Sequence, residues 1–133
     1  MKTPSQHRTH IENTARTVLE RRGRELVVTS RYRSNSAAHR RGALDYSSNK
    51  ISSRDRHAEA EQLSRDLGDG YTVVVEEVHR AKETQTNTSY RNGQRINRHE
   101  DPITADETHT HVQPDRPLSV LVIPGLVDYV LDH

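Results

Sequence analysis

Three histidines and one aspartate are the residues of this chain best suited to chemistry. His39 and Asp45 flank Gly42 within the stretch Ser36–Asp45, and about seventy residues later His109-Thr110-His111 sets two imidazoles at alternate positions. Zinc accepts imidazole nitrogen and carboxylate oxygen, and a catalytic zinc site uses three protein ligands plus a water. His39, Asp45 and one of the two later histidines would fill that set. On a strand, residues 109 and 111 point to one face, so both can reach one site. One would bind the metal, while the other would stand beside it as base or electrostatic stabiliser. Zinc lowers the pKa of its water from about 15.7 to about 7, which gives hydroxide at neutral pH for attack on a carbonyl.

The neighbouring polar residues can be sorted by the same logic. Arg31 or Arg33, just ahead of His39, could hold a substrate carboxylate or a developing oxyanion. Of Glu76 and Glu77, one must alternate toward the histidine strand if the two strands are neighbours, and it could act as general base. Glu77 is expected to be an exposed carboxylate at a strand end. The competing reading of the His-x-His pair is chance, since the chain has nine histidines. His7, His10, His57, His99 and His133 lie in polar contexts and receive no role, and His79 reads as a loop residue.

The elements that must position these groups are legible from periodicity. Ile11, Ala15, Val18 and Leu19 form one face of a helix over about Thr9 to Arg22, closed by Gly23. Glu25–Ser30 reads as a strand, and Leu44 and Tyr46 flank Asp45 in a brief strand that turns the aspartate to one side. Ser52 or Ser53 caps a helix over roughly Arg54–Leu67 with Ala60, Leu63 and Leu67 buried, and Gly68-Asp69-Gly70 stops it. Tyr71–Val78 is the clearest strand, and its run of valines suggests a central place covered on both faces. Glu107–Gln113 is the histidine strand, ended by Pro114 and Pro117. Residues 80–106 are almost wholly polar, with a turn signal at Asn92-Gly93, and read as a hairpin excursion or a mobile loop. Residues 1–8 read as a loose lead-in. The apolar segment 118–133 holds Leu118–Leu131, too short for a membrane helix of about 20 residues and read as a core strand plus short helix.

Composition bounds these readings. The 133 residues suit one domain. Only 30% are hydrophobic, Phe and Trp are absent, and the mean hydropathy is −1.00, a balance that by itself leans toward disorder. The periodic apolar runs argue instead for a thin core with long polar loops, steadied by a bound metal. The absence of cysteine excludes disulfide staples and thiolate zinc sites. Residues 1–56 carry 13 Lys and Arg against 5 Asp and Glu, while residues 57–133 carry 7 against 14. Such a basic half could face a polyanion, or the halves could neutralise one another across the fold. Nucleic acid is not expected, for there is no recognisable motif and no aromatic stacking platform.

Several of these pieces align with one family. Val28-Thr29-Ser30-Arg31-Tyr32-Arg33, followed by Ser36…His39-Arg40-Arg41-Gly42-Ala43-Leu44-Asp45, resembles the zinc D-Ala-D-Ala peptidases. The later Gly70-Tyr71…Val75-Glu76 and His109-Thr110-His111-Val112-Gln113-Pro114 resemble that family's closing strands, shared with lysostaphin-type enzymes and the hedgehog signalling domain. The order of elements matches from about Ile11 to Pro114 and is most similar to the short forms carried by bacterial viruses. The chain is one residue shorter between His39 and Asp45 than the family's pattern.

The resemblance implies an α+β fold, with a small antiparallel sheet of about four strands, two helices packed on it, and a long polar insertion between the last two site strands. It implies zinc on His39, Asp45 and His111, with His109 as catalytic partner and Arg33, then Arg31, near the substrate. The reaction would be hydrolysis of a peptide bond in cell-wall peptidoglycan, as in an endolysin or D,D-carboxypeptidase. No secretion signal or transmembrane segment is read, so the expected location is the host cytoplasm until lysis, with action in the periplasm or wall. The alternative is a catalytically silent zinc- or polyanion-binding module of the same fold.

Overall fold

The computed structural model describes residues 2–116, 119–121 and 129–131. The fold is α+β. The first helix, α1 (Pro4–Arg21), starts earlier than its apolar stripe suggests, so residues 4–8 are helical and not part of a loose lead-in. Thr3 and Gln6 form a capping box: the Thr3 hydroxyl accepts from the Gln6 amide at 3.1 Å, and Gln6 Oε1 accepts from the Thr3 amide at 2.8 Å. Pro4, at the first position, gives up no helical hydrogen bond there. At the other end Gly23 adopts φ 71°, and Gly23 and Arg24 donate back to Glu20 and Leu19 in a Schellman closure.

Strand β1 (Val28–Ser30) leads to the single-turn helix α2 (Ala37–Arg40), then β2 (Leu44–Ser47) and α3 (Ser53–Leu67), whose N-cap is Ser52. Next come β3 (Tyr71–His79), a 3-10 turn at Arg80–Lys82, β4 (Thr84–Arg91), β5 (Gln94–Pro102) and β6 (His109–Pro114). Among the described residues, one antiparallel sheet holds six strands in the order β1-β2-β6-β3-β4-β5, not about four, and the single-turn α2 adds a third helix to the two expected to pack on the sheet, α1 and α3. Two of those strands are β4 and β5, so residues 80–106 are an extension of the sheet and not a loop. Asn92 and Gly93 carry φ of 51° and 78°, the pair of positive values that a tight type I′ hairpin needs.

Helices α1 and α3 pack on one another and on one face of this sheet. Ile11, Ala15, Val18 and Leu19 of α1 and Ala60, Leu63 and Leu67 of α3 meet Leu44, Tyr46, Val73, Val75 and Val112 in a single core. Burial alternates along β6 and from Val73 to Val78 of β3, as period two requires. Thus β3 is central in the sheet but covered by helices on one face only. Val74 and Glu76 fall on the other face and stay partly exposed.

That open face is the one that carries the polar residues. The register sets Asp45 opposite His111 across β2–β6, and Val74 and Glu76 opposite His111 and His109 across β3–β6. Two ladders across three strands therefore hold Asp45, His109, His111 and Glu76 on one surface. Within the apolar tail, β7 (Ser119–Leu121) and β8 (Tyr129–Leu131) pair only with each other, so a strand stands at 129–131 where a short helix was expected. Residues 122–128 of that segment lie outside the described residues. Among the described residues, no helix is long and apolar enough to cross a membrane.

Candidate metal centre

His39 enters the site from α2. Ser36 caps that short helix, its hydroxyl accepting from the His39 amide at 3.3 Å, and the same Oγ lies 2.8 Å from His39 Nδ1. The chain then turns through Gly42 at φ 115° into β2, where Asp45 alternates away from the core-facing Leu44 and Tyr46. A Cβ on Gly42 would stand 2.6 Å from the Pro4 carbonyl oxygen and 2.9 Å from His7 Cβ. The glycine is therefore required both by its backbone angle and by the close approach of α1. The shortened turn closes: His39 Nε2 reaches Asp45 Oδ2 at 3.1 Å.

His111 meets the other oxygen of the same carboxylate, Nδ1 to Oδ1 at 2.6 Å, and the two imidazole rings lie 5.2 Å apart. One ligand-type atom from each of His39, Asp45 and His111 falls within 4.8 Å of the others, so the three can hold a metal ion. Imidazole nitrogen and carboxylate oxygen are donors that divalent transition metals, zinc among them, accept. His111 Nε2 is 2.9 Å from Gln113 Oε1, which accepts from it and leaves Nδ1 to face Asp45. Ser36 can do the same for His39 Nδ1, leaving Nε2. Such outer partners are how metal-binding imidazoles are held in one tautomer.

The electrostatics follow from burial and from this shared carboxylate. Burial pushes the Asp45 carboxyl upward, but the hydrogen bond and charge of His111, with His39 beyond, outweigh it and hold Asp45 below its ordinary value. Burial lowers His39, helped by nearby His111 and Arg33 and opposed by Asp45. It would lower His111 too, yet the bond to Asp45 raises that imidazole instead.

His109 sits beside the trio. Its Nδ1–H donates to the Glu107 carbonyl at 3.0 Å, and its Nε2 lies 3.2 Å from Glu76 Oε2. Against the effect of burial, Glu76 and that carbonyl push His109 up to about 9. In return, His109 outweighs the burial of Glu76 and keeps its carboxyl low. At neutral pH the two form an ion pair. Together with the trio, Arg33, Ser36 and the segment Thr104–Glu107, they line a cleft of about 680 Å³.

Five of the expected residues thus join Arg33 around one cleft, but Arg31 does not. Its guanidinium grips Glu12 Oε1 from Nε at 3.0 Å and Nη2 at 2.8 Å, on the α1 side. Residues 31–33 lie outside β1, so strand alternation does not carry Arg31 and Arg33 to one face. Arg33 does face the site, with Nη2 3.2 Å from His39 Nδ1.

Glu77 does not stand exposed at a strand end. It is buried on the helix side, where Ser53 Oγ and Arg56 Nη1 each donate to Oε2 at 2.6 Å and His57 Nε2 meets Oε1 at 2.7 Å. His79 closes β3 and meets Thr86 Oγ1 at 2.8 Å. Among the residues the sequence reading gave no role, Gln113 was signalled by its place two residues after His111 on a strand. Gln85 carried no local signal, because only the position of β4 across the sheet brings it near Glu76. No known family, curated protein or solved structure matches this chain.

Proposed function

We propose that this chain is a zinc-dependent peptidase that hydrolyses a peptide bond in bacterial cell-wall peptidoglycan. The observation that carries the reading is the meeting of His39, Asp45 and His111 within 4.8 Å in a cleft beside the His109–Glu76 pair. A trio alone would serve a structural ion; an ionised acid–base pair on the same sheet face is what a hydrolase adds. The likeness of Thr29–Asp45 and His109–Pro114 to the zinc D-Ala-D-Ala peptidases points the same way.

In this reading the ion is held by His39 Nε2, Asp45 and His111 Nδ1, and when bound it supplies Lewis acidity and acidifies a water. Glu76, kept ionised, is the general base. His109, kept protonated, holds Glu76 in place and presents positive charge to a developing oxyanion. Ligation through His39 Nε2 puts that ring's proton on Nδ1, where Ser36 Oγ accepts it. Arg33, which can only donate, then loses its partner on His39 and is free to hold a substrate carboxylate.

Metal analysis of the purified protein tests this directly. About one zinc per chain is expected in the wild type and none in His111→Ala; a wild type without zinc ends the proposal. Incubation with purified peptidoglycan fragments should then release new peptide termini, seen by mass spectrometry. Zinc without cleavage would instead identify a silent zinc-binding module of the same fold.

A further inference from the structure

Gln85 is a buried amide with every hydrogen-bonding site in use. It lies on β4 at 1% exposure, beyond β3 from the metal trio. Its Oε1 accepts from the backbone amides of Thr104 at 2.8 Å and Ala105 at 3.1 Å, and from Thr104 Oγ1 at 3.4 Å. Two backbone N–H donors fix which end of the amide is oxygen. The Nε2 end therefore faces two acceptors, Asn87 Oδ1 at 2.9 Å and Glu76 Oε1 at 3.3 Å. A buried amide is costly unless satisfied, and this one joins two parts of the cleft that are far apart in sequence.

Thr104 and Ala105 form the start of the cleft's rim, and Glu76 is part of its floor. The Glu76 carboxylate is consequently held at both oxygens, Oε1 by Gln85 and Oε2 by His109. The rest of the rim has its own ties. Arg80 donates to the Asp106 carbonyl, and the Thr108 hydroxyl accepts from the Val78 amide at 2.9 Å. Both Arg80 and Gln85 belong to the 80–106 excursion.

We infer that Gln85 is a positioning residue, pinning the Thr104–Ala105 rim with its oxygen and aiming the Glu76 carboxylate with its nitrogen, and that strand β4 thereby buttresses the cleft from behind its lining residues. The pinning stands on geometry alone; the aiming of Glu76 as a base rests on the peptidase reading.

Two variants separate the two jobs. Gln85→Leu removes both ends, while Gln85→Glu keeps an acceptor for the rim and replaces the donor to Glu76 by a second carboxyl that repels the Glu76 carboxylate instead of holding it. Amide exchange followed by NMR should show Thr104 and Ala105 exchanging on the order of tenfold faster in Gln85→Leu, the loss of about one hydrogen bond, and at the wild-type rate in Gln85→Glu. Unchanged protection in Gln85→Leu overturns the pin, as does equal loss in a folded Gln85→Glu. These readouts need no activity, so they survive failure of the peptidase reading. Where a soluble stem peptide ending in D-Ala-D-Ala is cleaved by the wild type, Gln85→Leu should raise KM and lower kcat, because both ends of the amide are lost. Gln85→Glu should lower kcat at nearly constant KM, with zinc content unchanged in both. If Gln85→Leu does not fold, Gln85→Glu decides alone: wild-type kcat with bound zinc overturns the aiming of Glu76.

Discussion

His109 illustrates how little separates a ligand from a neighbour of the ligands. It shares a strand face with His111, two residues on, yet its Nε2 is 3.2 Å from Glu76 and its Nδ1–H is committed to the Glu107 carbonyl. Both nitrogens are engaged away from the shared Asp45 carboxylate, whereas His111 gives one of its nitrogens to Asp45. Replacing His109 by alanine should therefore leave zinc at one per chain while slowing peptide hydrolysis about 10²–10⁴-fold, the range for loss of a positioned proton donor or stabiliser. A His109→Ala protein that binds zinc and cleaves at the wild-type rate would sink the role given to the pair. Strand alternation and the glycine turn are local rules, and they made His39, Asp45 and the His109/His111 pair readable as one group; the choice of His111 over His109 came only from the family resemblance. The sequence misplaced Arg31 because the winning partner, Glu12, sits on a helix nineteen residues earlier and is reached only in the folded chain.

At the scale of elements, the turn from α2 to β2 governs whether two ligands meet. Arg41 follows α2, Gly42 takes φ 115°, and its missing side chain leaves room for Pro4 and His7 of α1. The start of α1 thus forms the outer wall of the turn. Gly42→Ala faces a left-handed backbone angle and a contact with backbone oxygen that cannot swing aside. It should cost about 1–3 kcal/mol of stability by denaturant titration and should weaken zinc binding as His39 is pushed from Asp45. Wild-type stability and zinc affinity together would show that α1 yields easily there. The helix and strand cores were legible because they rest on periodic apolar residues. The true start of α1 and the β4–β5 strands were harder to read, since His7, His10 and the Thr-rich β4 pair through hydrogen bonds instead of apolar stripes. Asn92-Gly93 marked the hairpin turn, but no apolar face told how far its strands would run.

Over the whole molecule, the opposed charges of the two halves meet inside the fold. Arg24 forks onto Glu59 at 2.9 and 3.2 Å, and Arg56 reaches Glu77 at 2.6 Å, each pair joining the basic half to the acidic one. Glu77 is a strongly perturbed acid. Burial alone would raise it, but His57 and Ser53, with Arg56 beside them, draw it down from 4.5 to about 2. His57 in turn meets the Tyr90 hydroxyl at 2.7 Å, so α3, β3 and β4 are tied through one carboxylate. A carboxyl lowered on folding contributes stability that is complete above its unfolded value and is lost as pH falls through its folded one. For Glu77 that window runs from about 4.5 down to about 2, and the difference corresponds to about 3 kcal/mol at neutral pH. Glu12, Asp45 and Glu76 are lowered as well and add acid sensitivity of the same sign, so the wild-type slope alone cannot be assigned to Glu77. Comparison with Glu77→Gln removes that ambiguity, because the other carboxylates are common to both proteins. Urea midpoints should show Glu77→Gln the weaker by about that amount near pH 7, with the two curves converging as pH approaches 2. A gap that stays constant across that range would mean the buried cluster stabilises the fold through packing and not through the charge of Glu77.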